Sequence, residues 1–428
     1  MSRLMIVVSE YSDLNKRSRR LDLLLKMKKL CESDGWECDF VHINISPFPS
    51  LQRTTFSCED GVKRCLIVLR KPALLFAIIM GLKASIKFAR EVVSKGRTFI
   101  VLIGTEYIPS LYLLVIYVIL RFMLGISKSY RLIFVYDYVD LYLQTYNYKN
   151  IEKAVYSIVE VAFLKIARII LVSSYVIKKY VEKRVKKNKK VVYFPPSVPV
   201  SEIANICKTV NRSEIRRKLG FFDDDIIVTY VGNVEKEISG IDILTEALLK
   251  IETSNSCICE RIRTVLILAI SDTAENSLNM INRILQQMTR CKDSVRIFTN
   301  VERKKVFEVL CASDFGLALL DPNTSTSKQV DWPLKVAEYV GSGLPIIYTP
   351  FGNIRSLLID NIHGFEVSRN PNDILRVYSK IYRLRSNDLA KLKNAVVSLR
   401  EYVNIDSYSN TIFHTLLDEI RHSWVDIK

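Results

Sequence analysis

The chain alternates short β-branched runs with longer amphipathic stretches, and it does so twice. In the first half, residues 4–8, 38–42, 66–69, 99–103, 132–136, 169–172 and 191–194 read as strands. Between them, 16–31, 73–93, 151–166 and 174–184 carry apolar residues at helical spacing. Strands that are apolar throughout must be covered on both faces, and the intervening helices supply the cover. That pattern dictates an α/β fold with a doubly wound parallel sheet.

The alternation breaks at Phe194-Pro195-Pro196-Ser197-Val198-Pro199, where proline stops both a central strand and a helix. It then restarts through 226–232, 241–250, 264–270, 276–288, 295–299, 303–312, 315–320, 333–341 and 345–348, with helical patterns at 371–385, 387–401 and 407–424 closing the chain. The expected organisation is an N-terminal Rossmann-like domain over 1–195, a second over 196–400, and a last helical segment, 401–428, packing back toward the first. Two such domains are expected to face each other across a cleft. Strand C-termini and helix N-termini line such clefts and favour a phosphate-bearing ligand.

Charge separates the halves. Of the 62 Lys and Arg and 45 Asp and Glu, residues 1–200 hold 33 and 16, a net +17, whereas 201–428 hold 29 of each. One half therefore faces something anionic. The basic segments Lys16-Arg17-Ser18-Arg19-Arg20 and 183–190 have no interleaved base-stacking aromatics, which argues against nucleic acid and for an anionic membrane surface. Nine cysteines without a C-x-x-C pair, and four unclustered histidines, argue against a zinc site or a disulfide scaffold. Reduced thiols in a cytoplasmic protein, starting directly on a strand with no signal peptide, are the expectation.

Residues 108–126 form the most apolar stretch. Pro109, Ser110 and Arg121 interrupt it, leaving about 15 Å of charge-free helix from Leu111 to Leu120, half of the roughly 30 Å of a hydrocarbon core. It is expected to be a core helix or one lying in the membrane interface. Residues 73–93, with Lys83, Lys87 and Arg90 on one face, have the composition of an interfacial helix.

The segment Val330-Asp331-Trp332-Pro333-Leu334-Lys335-Val336-Ala337-Glu338-Tyr339-Val340-Gly341-Ser342-Gly343-Leu344-Pro345-Ile346-Ile347 carries the strongest local signal. A strand ends in the polar loop 321–329 and feeds a helix whose first-turn amides offer an anion seat. Lys335 and Glu338, three apart, share a helix face. Either they meet a phosphate and a ribose diol, or they are a surface ion pair ahead of a glycine C-cap. The residues alone leave both open.

This segment resembles the nucleotide-sugar-binding domain of GT-B glycosyltransferases, the retaining group with a paired-glutamate signature. Tyr230-Val231-Gly232-Asn233 with Gly240-Ile241-Asp242 is similar to that group's first strand, loop and helix of the donor domain. Residues 160–174 and Tyr136-Asp137-Tyr138-Val139-Asp140 resemble its acceptor-side segments. The resemblance spans about residues 130–370. It implies that Glu338 holds the donor ribose and Lys335 meets the diphosphate. Gly232 lets the backbone approach the diphosphate with Asn233 beside it in the donor site, Thr299-Asn300-Val301 contact the base, and the 321–328 loop with Ser325 and Thr326 wraps the sugar. Gly352 and Arg355 border the same site. Asp137 and Asp140 would position or deprotonate the acceptor.

The sequence also departs from that pattern. Val330 stands where the first glutamate is expected, with Asp331 beside it. Asn233 and Ser239 replace the usual Arg and Lys of the 232–240 loop, leaving Lys236, Lys335 or Arg355 to neutralise a diphosphate. The motif segments carry no Asp-x-Asp metal pair, so neither a metal nor a cofactor is expected. The expected function is sugar transfer from a nucleotide-diphosphate donor to a lipid-linked or growing glycan by a protein at the cytoplasmic membrane face. The alternative is a catalytically weak GT-B-like subunit that positions a partner or binds lipid.

Overall fold

A computed structural model describes residues 3–11, 19–46, 55–59, 62–68, 98–105, 107–124, 131–141, 150–234, 239–254, 257–269, 279, 281–282 and 286–425. The chain divides into two compact units, 1–195 with 405–428, and 196–404.

The first unit holds an eight-stranded sheet in the order β3-β4-β2-β1-β5-β6-β7-β8. The strands are β1 (Arg3–Tyr11), β2 (Glu37–Ser46), β3 (Thr55–Glu59), β4 (Val62–Val68), β5 (Thr98–Thr105), β6 (Arg131–Tyr138), β7 (Ile169–Val172) and β8 (Lys190–Tyr193). All pair in parallel except the β3–β4 hairpin. Alternation along β1 fixes what each face receives. Met5 and Val7 point to one side with Ile100, Leu102, Phe134 and Tyr136. That side is covered by α2 (Tyr107–Leu124), α3 (Asn150–Ile166) and α4 (Tyr175–Glu182). Leu4, Ile6 and Val8 point to the other side, under α1 (Arg19–Ser33) and the terminal helix Ile405–Val425.

Within the 108–126 stretch, the described residues 108–124 thus form a core helix on one side. Leu113, Ile116 and Leu120 are fully buried, while Val118 and Phe122 point outward. Among the described residues no helix is long and apolar enough to cross a membrane. The 73–93 segment lies outside the described residues.

The second unit holds a six-stranded parallel sheet, β11-β10-β9-β12-β13-β14. Its strands are β9 (Ile226–Asn233), β10 (Ile262–Ala269), β11 (Val295–Thr299), β12 (Phe315–Ala318), β13 (Ile346–Tyr348) and β14 (Gly364–Glu366). The first strand lies centrally and the order reverses between β9 and β12, the place where open α/β sheets bind ligands. Helices α5 (Val200–Thr209), α6 (Arg212–Lys218), α7 (Ile241–Thr253), α8 (Arg303–Ala312), α9 (Leu334–Ser342), α10 (Pro371–Tyr382) and α11 (Ser386–Val397) cover the two faces.

Two cysteine pairs correct the expectation of reduced thiols. Cys207 of α5 is bonded to Cys311 of α8, and Cys259 to Cys291. The partners are 104 and 32 residues apart in sequence. Only the fold brings them together, so spacing alone gave no sign of them.

One buried ion network ties the start of this unit to its sheet. Asp314, before β12, accepts from Arg216 Nη2 at 2.6 Å, Lys393 Nζ at 2.9 Å and the Ile227 amide at 3.0 Å, and it also pairs with Arg212. Burial alone would raise its pKa. Lys393, Arg212, Arg216 and the Ile227 amide outweigh that and bring it to about 2. A depressed carboxylate stabilises the fold above its ordinary pKa and loses that contribution as pH falls through the folded value. Wild-type stability in urea is therefore expected to drop by about 2 kcal/mol from this group as pH falls from 4 toward 2. Asp314→Asn should cost about 3–5 kcal/mol at neutral pH, because it leaves Arg216 buried without its counter-ion.

Candidate functional site

The switch point of the second sheet assembles the donor-site candidates. β9 ends in Gly232, whose φ of +154° lies outside the range that side chains favour. A Cβ there would stand 2.6 Å from Lys335 Nζ and 3.1 Å from the Tyr230 hydroxyl. Gly232 is a glycine because the lysine reaches across it. Lys335 rises from the first turn of α9, and its ammonium donates to Tyr230 Oη at 3.3 Å and stands 4.3 Å from the Tyr230 ring centroid. Burial lowers its pKa to about 8, with Glu338 opposing the shift from one turn on. The half-exposed Glu338 shares that helix face with it.

α9 itself is held by Tyr339. The Tyr339 hydroxyl donates to Leu317 O at 3.0 Å and accepts from the Val231 amide at 2.9 Å, joining the two strands that part at the switch point. Its ring lies against β12, so a Cβ at Gly316 would meet it at 2.4 Å. α9 ends at Gly343, which adopts φ +75° as the C-cap.

Two loops close around this point. Gly240, at φ +71°, starts α7 and passes so near β12 that a Cβ would meet Leu319 O at 1.9 Å. The 321–329 loop is tied on both sides. Arg369 donates to Asp321 at 2.9 Å and to Asp242 of α7 at 3.2 Å. Ser327 Oγ accepts from the Gly352 amide at 2.9 Å. Gly352, at φ +64°, leaves no room for a side chain beside Val330 O.

The structure thus brings together Gly232, Lys335 and Glu338, and places Ser325, Thr326 and Gly352 on the loops beside β12 and β13. Asn233 closes β9, with its carbonyl accepting from the Tyr230 hydroxyl at 2.8 Å. Thr299 ends β11, two strands from β9, and Asn300 and Val301 follow it. Asn300 takes φ +50° and its amide donates to Leu268 O at 2.9 Å. Arg355 is 66% exposed and is engaged by Glu366 through two hydrogen bonds, which raises its pKa. Its charge is thereby offset by a neighbouring carboxylate. Asp331 is fully buried. Lys236 lies outside the described residues.

In the first unit, Asp137 sits at the C-terminal end of β6, 1% exposed, and accepts from Arg20 Nε at 3.0 Å. Asp140 follows on the loop and is partly exposed. Sequence reasoning placed Arg20 in a surface basic cluster, and it did not identify Tyr230 or Arg369 as supports. The one signal for Tyr230 is its place two residues before the glycine. Among the described residues no cluster of His, Cys, Asp or Glu has the arrangement of a metal site.

Residues 225–387 match the family model Glycosyl transferases group 1. Three solved structures are similar over nearly the whole chain. Sucrose-phosphate synthase from Thermosynechococcus elongatus aligns at 13% identity with a TM-score of 0.66, covering 98% of this chain and 99% of that one. HepE from Anabaena, in complex with UDP and glucose, aligns at 12% with a TM-score of 0.67, covering 97% and 99%. The E. coli trehalose-6-phosphate structure bound with UDP-2-fluoro glucose aligns at 12% with a TM-score of 0.62, covering 96% and 98%. None of the curated proteins matches the sequence. The solved structures show the fold, two domains of the GT-B type, over nearly the whole chain. The segment similar to group 1 glycosyltransferases lies wholly within the second unit.

Tyr230→Phe removes the hydroxyl that accepts from the Lys335 ammonium while leaving the burial. The charged form loses a hydrogen bond, so the Lys335 pKa is expected to fall below 8. Carbon-13 NMR of methylated lysines across pH reads this directly.

Proposed function

We propose that this protein transfers a sugar from a nucleoside-diphosphate-sugar donor to a lipid-linked or growing glycan, with retention of anomeric configuration, at a membrane surface. The observation that carries the donor assignment is Lys335 laid across Gly232 at the sheet's switch point. A cation held over a bare backbone, between the starts of α7 and α9, suits a diphosphate. Helix N-termini add positive potential, and the glycine lets phosphate oxygens come close to the amides.

In this reading Lys335 stabilises the charge that grows on the departing diphosphate, an electrostatic contribution that is large when the group is desolvated and already in place. Glu338 accepts from the ribose hydroxyls, and the loop pinned by Arg369 and Ser327 encloses the sugar. Asp137, fixed by Arg20, and Asp140 orient the acceptor hydroxyl. No separate metal is assigned a role. HepE with UDP and glucose, and the UDP-2-fluoro glucose complex, support a uridine-diphosphate sugar as the first donor to test. The charge of residues 1–200 supports an acceptor carried by an anionic membrane.

A thermal-shift screen across nucleoside diphosphates and their sugars names the donor, since a ligand that binds only the folded protein raises its apparent Tm. No shift with any of them would sink this reading. Lys335→Ala is expected to lower kcat by about 100-fold or more, and Glu338→Ala to weaken donor binding by about tenfold. Transfer unchanged in Glu338→Ala would show the ribose assignment to be wrong. Donor affinity should also decline above pH 8 as Lys335 loses its proton, since the charged form is the one that binds.

A further inference from the structure

α2 and α3 lie side by side on one face of the first sheet, with Phe134 of β6 between Tyr117 of α2 and Phe163 of α3. Each buries one side as an ordinary sheet-covering helix does. The opposite side of α3 is the anomaly. Ala154, Val155, Ile158 and Val161 fall on one outward stripe, and all four are exposed, Ile158 by 71%. On α2, Val118 and Phe122 are likewise outward, Phe122 by 84%. A surface helix should be polar on this side, and a helix apolar all round is normally covered.

A basic rim adjoins the stripe. Lys165 ends its line on α3 and is exposed. The 183–190 run is not a loose tail, because Lys189 Nζ donates to Lys165 O and Ala167 O at 2.6 Å each, capping α3 and drawing the run against its end. Burial, then Arg168 and Lys186 close by, lower the Lys189 pKa. Across 153–190 there are 11 Lys and Arg against two Glu, and one of these, Glu160, is buried and bonded to Tyr180.

We propose that the outward faces of α2 and α3, rimmed by Lys165 and the 183–187 cations, form the surface by which this protein rests on an anionic lipid bilayer. Apolar side chains flanked by cations match the acyl boundary and the phosphate layer of such a membrane. The site gives purpose to the lipid-borne acceptor proposed above, and rests on that reading only for its purpose.

The test is co-sedimentation of the full-length protein with phosphatidylcholine vesicles, with and without phosphatidylglycerol. Binding is expected only to the mixed vesicles and should weaken with salt. Ile158→Glu should lower the partition coefficient about tenfold, and a Lys183, Lys186, Lys187→Glu triple variant about 100-fold at low salt. These positions are exposed, and unchanged circular dichroism verifies folding. Equal affinity for both vesicle types, or variants that bind as the wild type does, overturns the proposal. So does an Ile158→Glu variant that changes sedimentation velocity from an oligomer to a monomer while vesicle binding persists, since the patch is then a protein interface. Donor hydrolysis without vesicles is measured in parallel. Its absence from wild type and variants alike removes the glycosyl-transfer reading and leaves vesicle binding to be judged alone.

Discussion

One phenolic oxygen holds the second unit's working end together. The Tyr339 hydroxyl satisfies the Val231 amide and the Leu317 carbonyl at the point where β9 and β12 diverge and can no longer satisfy each other. Burial keeps that hydroxyl protonated by pushing its pKa far up, so it donates and accepts without competition from titration. An unpaired backbone group at this depth is costly. Everything near the donor candidates follows from this bond. It sets the rotation of α9, which aims Lys335 over Gly232, and it demands glycine at 316 to admit the ring.

What the sequence revealed and what it hid divide along range. The alternation of apolar runs and helical spacing is local, so the strands of both sheets and the helices between them could be read directly. The 330–347 segment was also legible, because Lys335, Glu338 and Gly343 act through the turns of a single helix and its cap. β3 and β14 were not read, and β4 only at its end, since short runs at a sheet edge lack a distinctive period. Neither was the Arg369 link between Asp242 and Asp321, whose members are 127 and 48 residues apart from it. Arg20 is the sharpest case. In sequence it belongs to a solvated basic run, yet in the fold it meets a buried carboxylate 117 residues away.

The departures from the family pattern acquire physical content in the structure. The cations expected in the 232–240 loop are replaced, and the described part of that loop offers Asn233 and Ser239 instead. The lowered pKa of Lys335 comes from burial, which Glu338 only partly opposes. Arg355, another of the sequence candidates, is engaged with Glu366. It belongs with the elements that shape β14 and the turn before it.

The chain enters the second unit at Pro196 and leaves it at Asn404, and these ends meet. The Val198 amide donates to Val403 O at 2.8 Å, and Val198 forms a bridge with Asn404. The second unit is therefore one uninterrupted stretch whose beginning and end are already neighbours, set into a first unit that is complete only when the last helix returns. In evolutionary terms such a unit is a cassette. It can be exchanged for another α/β domain at a single seam without disturbing its own topology, whereas the first unit can be inherited intact only if the final 24 residues travel with it.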